Sequence, residues 1–164
     1  MSNAHPMSLS RTTQTRLVLP PDANQYGSVF GGKILAYIDE IAAIACMKHT
    51  GKEVVTASFD SVDFVSPAYV GDVLELEGII TSTGRTSMEV YVRVMSRCVK
   101  TGEKRLTTES YVTMVALDEH GKPTPIPAVY PETEEEEKMH KAGIERQRLR
   151  KEKRKKLKRD ESRE

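Results

Sequence analysis

Between positions 24 and 39 the segment NQYGSVFGGKILAYID brings together three kinds of group that can act on a carbonyl. Asp39 is a carboxylate set in an apolar run, able to take a proton from water. Asn24 is an uncharged donor and acceptor, able to orient that water. Gly31 and Gly32 open the run, and glycines at a helix start leave bare backbone N–H groups which, with the helix dipole, favour a developing oxyanion. A base, an orienter and an oxyanion site are the parts of a hydrolytic centre.

Such groups act only if something holds them. Ile34, Leu35, Ile38, Ile41, Ala42 and Ala45 repeat on one helical face. The only charges between Ile34 and Met47 are Asp39 and Glu40, so the helix is apolar nearly all round and must be covered. The neighbours of Asp39 at three- and four-residue spacing are Leu35, Ala36, Ala42 and Ala43, a mostly small seam that lets a sheet or a second subunit come close. A carboxylate that loses solvation in such a seam becomes more basic unless hydrogen bonds compensate. The simpler alternative is that Asp39 caps a loop or pairs with an arginine of the sheet; the two glycines and Asn24 weigh against it.

The covering layer follows in order. A first strand over 12 to 19 ends at Pro20-Pro21, and after the helix come strand-like runs at 54 to 65, 73 to 83, 86 to 99 and 105 to 118, with turns at Ser66-Pro67, Gly71-Asp72, Gly84 and Gly102. Short connections make these successive runs antiparallel neighbours. The fold class is α+β, one long buried helix against one antiparallel sheet.

The chain has room for one ordinary domain. Residues 1 to 9 are expected to be disordered, and Ser-Asn-Ala in the opening MSNAHPM is a common cloning remnant; the domain spans 10 to 128, and a charged tail spans 129 to 164. Net charge is +1, but residues 1 to 131 hold 12 Lys/Arg against 14 Asp/Glu and residues 132 to 164 hold 13 against 10. The tail has too few apolar residues for a core of its own, so it is a solvated helix or partly disordered; acids early and bases late suit the helix dipole. The core offers no basic face or aromatic platform to extend its cations, which argues against a nucleic-acid partner. No apolar run is long enough for a membrane span and no secretory signal opens the chain, so the expected location is cytoplasmic, with Cys46 and Cys98 reduced.

The pattern N-x-x-G-x-V-F-G-G-x-I-L-x-x-I-D, from Asn24 through Gly27, Val29, Phe30, Gly31, Gly32, Ile34, Leu35 and Ile38 to Asp39, resembles the signature of the hot-dog acyl-CoA thioesterases of the cytosolic acyl-CoA hydrolase group. The following ASFDSVDFVSPAYVGDVLELEGIITSTGRTSMEVYVRV is similar to that family's sheet. The resemblance covers roughly residues 10 to 128. It implies a hot-dog fold, with five antiparallel strands wrapping the helix, and hydrolysis of fatty acyl-CoA to fatty acid and CoA without a cofactor, coenzyme A being part of the substrate. It also implies Asp39 and Asn24 as the catalytic pair, meeting across a subunit boundary, in a dimer with a continuous sheet that assembles further as a trimer of dimers.

On that basis Gly31 and Gly32 supply the oxyanion N–H groups, and Asp39 acts as general base or as nucleophile. Arg85, Thr86 and Ser87, in a turn with one cation and two hydroxyls, are the candidates for the CoA phosphates, with Arg93 or Arg97 as substitutes. Asp60 stands out from Ser58 and Asp63 in its strand, although a satisfied strand polar is its plainer reading. His5, His49, His120 and His140 form no metal-ligand spacing. Two rivals remain: a thioester hydratase or dehydratase, which needs a histidine beside the acid, and a non-enzymatic acyl-CoA sensor.

Overall fold

Alternating apolar residues along four long runs give strands with one face for the core and one for polar groups. The computed structural model describes residues 3 to 163. A short strand β1 (His5–Pro6) and a helical turn α1 (Met7–Ser10) precede strand β2 (Thr12–Leu17). The central helix α2 (Gly31–Thr50) leads into β3 (Glu53–Phe64), β4 (Val73–Thr83), β5 (Ser87–Arg97) and β6 (Lys104–Leu117). A short β7 (Val129–Tyr130) and the long helix α3 (Glu134–Glu161) close the chain.

The five-stranded sheet has the order β2-β4-β5-β6-β3, antiparallel throughout. Its inner face supplies Leu74, Leu76 and Ile80, then Met88, Val90, Val92 and Val94, then Val112, Met114 and Ala116, all buried against Ile34, Ile38, Ile41, Ala42 and Ala45 of α2. The helix ends where Gly51 takes a left-handed φ of 65° and returns its N–H to Met47.

Three expectations need correction. β3 and β4, consecutive in sequence, are not neighbours: β3 pairs only with β6, and β4 pairs with β2 and β5. The segment between them crosses three strand spacings, about 14 Å, and nine Cα steps reach up to about 30 Å, so a short connection did not oblige them to pair. Residues 5 to 10 are not loose either, because Met7 and Ser10 are fully buried and His5 pairs in parallel with Val129, while the first two residues lie outside the described ones. The tail is a continuous helix from Thr133, whose side chain caps the N–H of Glu136. Its first half is docked rather than solvated. Gly143 lies so close to the outer face of β4 that a Cβ there would sit 3.2 Å from Thr81 and Ser82.

His49 ties the end of α2 to the segment before β7. It is 1% exposed, its Nε2 donates to the carbonyl of Pro127 at 2.8 Å, and its Nδ1 has no partner. Burial holds the imidazole below its ordinary pKa, because protonation would put an unpaired N–H in the core. The unfolded chain therefore binds the extra proton more readily, and stability is lost as pH falls below the ordinary imidazole value. Thermal unfolding should occur at lower temperature at pH 5 than at pH 7.5. In His49→Gln the difference between the two pH values should shrink.

Candidate functional site

The loop before α2 is built around Asn24. Its Oδ1 accepts from the N–H of Tyr26 at 2.9 Å and from the N–H and Oγ of Ser28 at 3.2 Å each, while Asn24 N–H donates to Ser28 O at 2.8 Å. The two backbone donors require an oxygen there, so the side-chain orientation is set, and Gly27 at φ 79° lets the turn close. The Nδ2 amino group is left with no acceptor among the described residues.

Phe30 stands at the N-cap of α2 without a side-chain cap, and Gly31 and Gly32 form the exposed first turn. Their N–H groups find no acceptor among the described residues, as expected for uncapped first-turn amides. A cleft of about 390 Å³ adjoins Gly31, lined mainly by apolar groups including Val29, Ile34, Phe64, Val65 and Ala68. At Gly31 a Cβ would come within 3.4 Å of the Phe64 ring, so the bare backbone is what allows the helix start and the end of β3 to lie together. Gly32 meets open space within the chain.

Asp39 lies half-buried in the middle of α2. It neither caps a loop nor pairs with arginine; Arg16 goes instead to Glu40, at 2.9 Å. The carboxylate accepts a hydrogen bond on Oδ1 from the hydroxyl of Thr56 in β3. That leaves Oδ2 as the available basic oxygen. Thr56 is the site residue that the sequence did not reveal. Two register irregularities, between Thr56 and Ser58 and between Phe59 and Ser61, break the alternation of β3, so the inward side chains could not be read by counting.

Within the chain nothing links Asn24 directly to Asp39, each being bonded to its own neighbours. Arg85 is exposed in the β4–β5 turn without an acidic partner among the described residues, whereas Arg93 reaches Glu77 and Arg97 reaches Glu75. Arg85, Thr86 and Ser87 lie at the end of the sheet where Ser87 faces Val115, the end where β3 begins. The cleft by Gly31 lies where β3 finishes. Asp60 accepts from Ser58 at 2.8 Å and from Thr113, on the outer face. The described histidines do not serve Asp39: His49 is bonded to Pro127 and His140 to the carbonyl of Thr81. Among the described residues no cluster of His, Cys, Asp or Glu could hold a metal ion, and no helix is long and apolar enough to cross a membrane.

A helix-wrapping sheet with a carboxylate and a free helix N-terminus at a cleft has close counterparts. The pattern of the thioesterase superfamily matches residues 26 to 101. A protein named as an uncharacterized acyl-CoA thioester hydrolase, YkhA of Bacillus subtilis, is 46% identical over 137 residues, 84% of this chain and 80% of its own. This chain belongs to the thioesterase superfamily. Among solved structures, an apo hexameric acyl-CoA thioesterase superimposes with TM-score 0.88 at 62% identity, over 92% of this chain and 96% of its own. The acyl-CoA hydrolase of Staphylococcus aureus, in complex with butyryl coenzyme A, coenzyme A and coenzyme A disulfide, superimposes at 0.88 with 42% identity over 96% of both chains. That protein is also solved with alanine in place of an asparagine, an aspartate and a threonine. Their numbers there are 15 and then 17 apart, the spacing of Asn24, Asp39 and Thr56 in this thioesterase.

If Thr56 orients the carboxylate, removing its hydroxyl while keeping its shape should slow thioester turnover by about tenfold, the worth of one hydrogen bond to a charged group. Thr56→Val is the variant, with a β-branched side chain that preserves the strand. Thr56→Ser should keep most of the rate.

Proposed function

We propose that this chain hydrolyses fatty acyl-CoA to a free fatty acid and CoA, with its sites completed between copies of itself. The observation that carries the proposal is Asp39, oriented by Thr56 across the helix–sheet seam, on a helix whose unpartnered first turn begins with Gly31 at an apolar cleft. Gly31 and Gly32 precede Asp39 on α2 by about 10 to 12 Å at about 1.5 Å per residue, too far to share one carbonyl with it. Each site therefore joins Asn24, Gly31 and Gly32 of one copy to Asp39 of another, and the carbonyl oxygen of the thioester accepts from those two glycines. Water held by the Nδ2 amino group of Asn24 attacks the carbonyl carbon as Asp39 takes its proton. The tetrahedral intermediate then collapses, the C–S bond breaks, and the proton on Asp39 passes to the departing CoA sulfur, which restores the carboxylate.

The subunit arrangement follows from the edge of the sheet. β3 has a neighbour on one side only, and Phe59 and Phe64 are exposed on the same face as Thr56, so a second β3 that continues the sheet antiparallel would satisfy the open edge and bring a partner over these rings. Antiparallel pairing reverses the partner, so its Arg85–Ser87 turn approaches this chain's Gly31 end. That is where the phosphates of a CoA extended out of the cleft would need a cation and hydroxyls. The hexameric relative supports a trimer of such dimers. Residues 10 to 128 form the hydrolase domain and 129 to 164 an appended segment. Free Cys46 and Cys98 and an acyl-CoA substrate support a cytoplasmic location.

The direct test is release of free CoA thiol from acyl-CoAs of increasing length. Asp39→Ala should lose turnover by about a thousandfold, within the range for removing a general base, while still binding CoA. Near-normal turnover in that variant would remove Asp39 from the mechanism. Acyl-CoA binding without thiol release by the wild type would identify a sensor instead.

A further inference from the structure

Helix α3 lies outside the residues that match the superfamily, yet it sets two arginines on one buried carboxylate of the sheet. Glu89, on the outer face of β5, has no exposed side-chain surface. It accepts from Arg146 through Nε at 3.2 and 3.1 Å and through Nη2 at 2.8 Å, from Arg150 through Nη1 at 2.6 Å, and from Thr81 Oγ1 at 2.5 Å. The Arg146 guanidinium lies 3.9 Å from the centroid of the Tyr111 ring. A buried ion cluster of this kind is seldom a better source of stability than apolar packing of equal volume, so its use here points to the positions it fixes.

Arg150 also reaches Asp60, with Nη1 3.9 Å from Oδ2. Asp60 falls at the second register irregularity of β3, between Phe59 and Ser61, and is the group to which Ser58 and Thr113 donate. Glu89 faces Thr113, and Thr113 faces Ser58, so one polar row crosses β5, β6 and β3. Arg150 closes it from above. Just before the first irregularity, on the opposite face of the same strand, stands Thr56 with its hydrogen bond to Asp39. A strand bulged twice has soft local register, and contacts that grip its bulge decide where the next side chains point.

We propose that the C-terminal helix is a positioning element of the hydrolytic site: Arg150, anchored by Glu89, grips Asp60 in the bulge of β3 and so holds Thr56 against Asp39. This rests on the reading of Asp39 as the base. The full chain is compared as wild type, Arg150→Ala, Arg150→Lys, Thr56→Val and the Arg150→Ala/Thr56→Val double variant, by thiol release and by amide hydrogen exchange. Arg150→Ala should lower kcat about tenfold, as small misplacements of a catalytic group do, with KM nearly unchanged and faster exchange at residues 56 to 61. Arg150→Lys should restore most of the rate, and in the Thr56→Val background Arg150→Ala should cost nothing more. Additive losses, unchanged exchange in β3, or a loss matched by a fall in Tm that Arg150→Lys does not repair would each overturn the proposal. A wild type that releases no thiol would instead sink the proposed function, and exchange in β3 alone would then decide whether Arg150 grips the strand.

Discussion

The hydrogen bond from Thr56 to Asp39 joins the strand at the edge of the sheet to the middle of the central helix, and the geometry of the site depends on it. A carboxylate on a helix that packs against a sheet can swing unless something across the seam fixes one oxygen. The threonine does so and leaves the other oxygen free. Buried Ala42 and half-buried Ala43 beside Asp39 keep the seam narrow, and the bare backbone at Gly31 brings the end of β3 against the start of α2. The carboxylate proposed as the base and the helix start beside the cleft are thereby fixed relative to one another by one helix and one strand.

Much of this was legible in the sequence because it rests on local rules. The periodicity of Ile34, Ile38, Ile41 and Ala45 defines the buried face of α2, and Asn24, Gly31, Gly32 and Asp39 have residue types whose chemistry is plain. What was not legible depends on distant partners. Nothing in the composition of β3 distinguishes Thr56 from Ser58, since which of them faces the helix depends on irregularities that only pairing with β6 reveals. The position of β3 at the far edge, away from β4, likewise depends on a connection that crosses the sheet.

The tail shows the same division. Its acids first and bases later announce a helix, and a helix forms. Its docking went unread because docking is normally signalled by apolar residues, and here the anchor is a carboxylate on the sheet that takes two arginines from the helix. Removing both arginines would leave the Glu89 carboxylate buried and uncompensated, typically a loss of about 3 to 5 kcal/mol. The helix is therefore held to one register on the sheet although it carries little hydrophobic surface.

The central claim is that Asn24 of one copy works with Asp39 of another. Its most direct measurement is complementation: chains carrying Asn24→Ala and chains carrying Asp39→Ala, each inactive alone, are co-expressed and the mixed oligomers assayed for thiol release. Half of randomly formed dimers are mixed and one of their two sites is intact, so activity should return to about a quarter of the wild-type value. Mixed oligomers as inactive as their parents would show that both residues of a site come from one chain, contrary to the account.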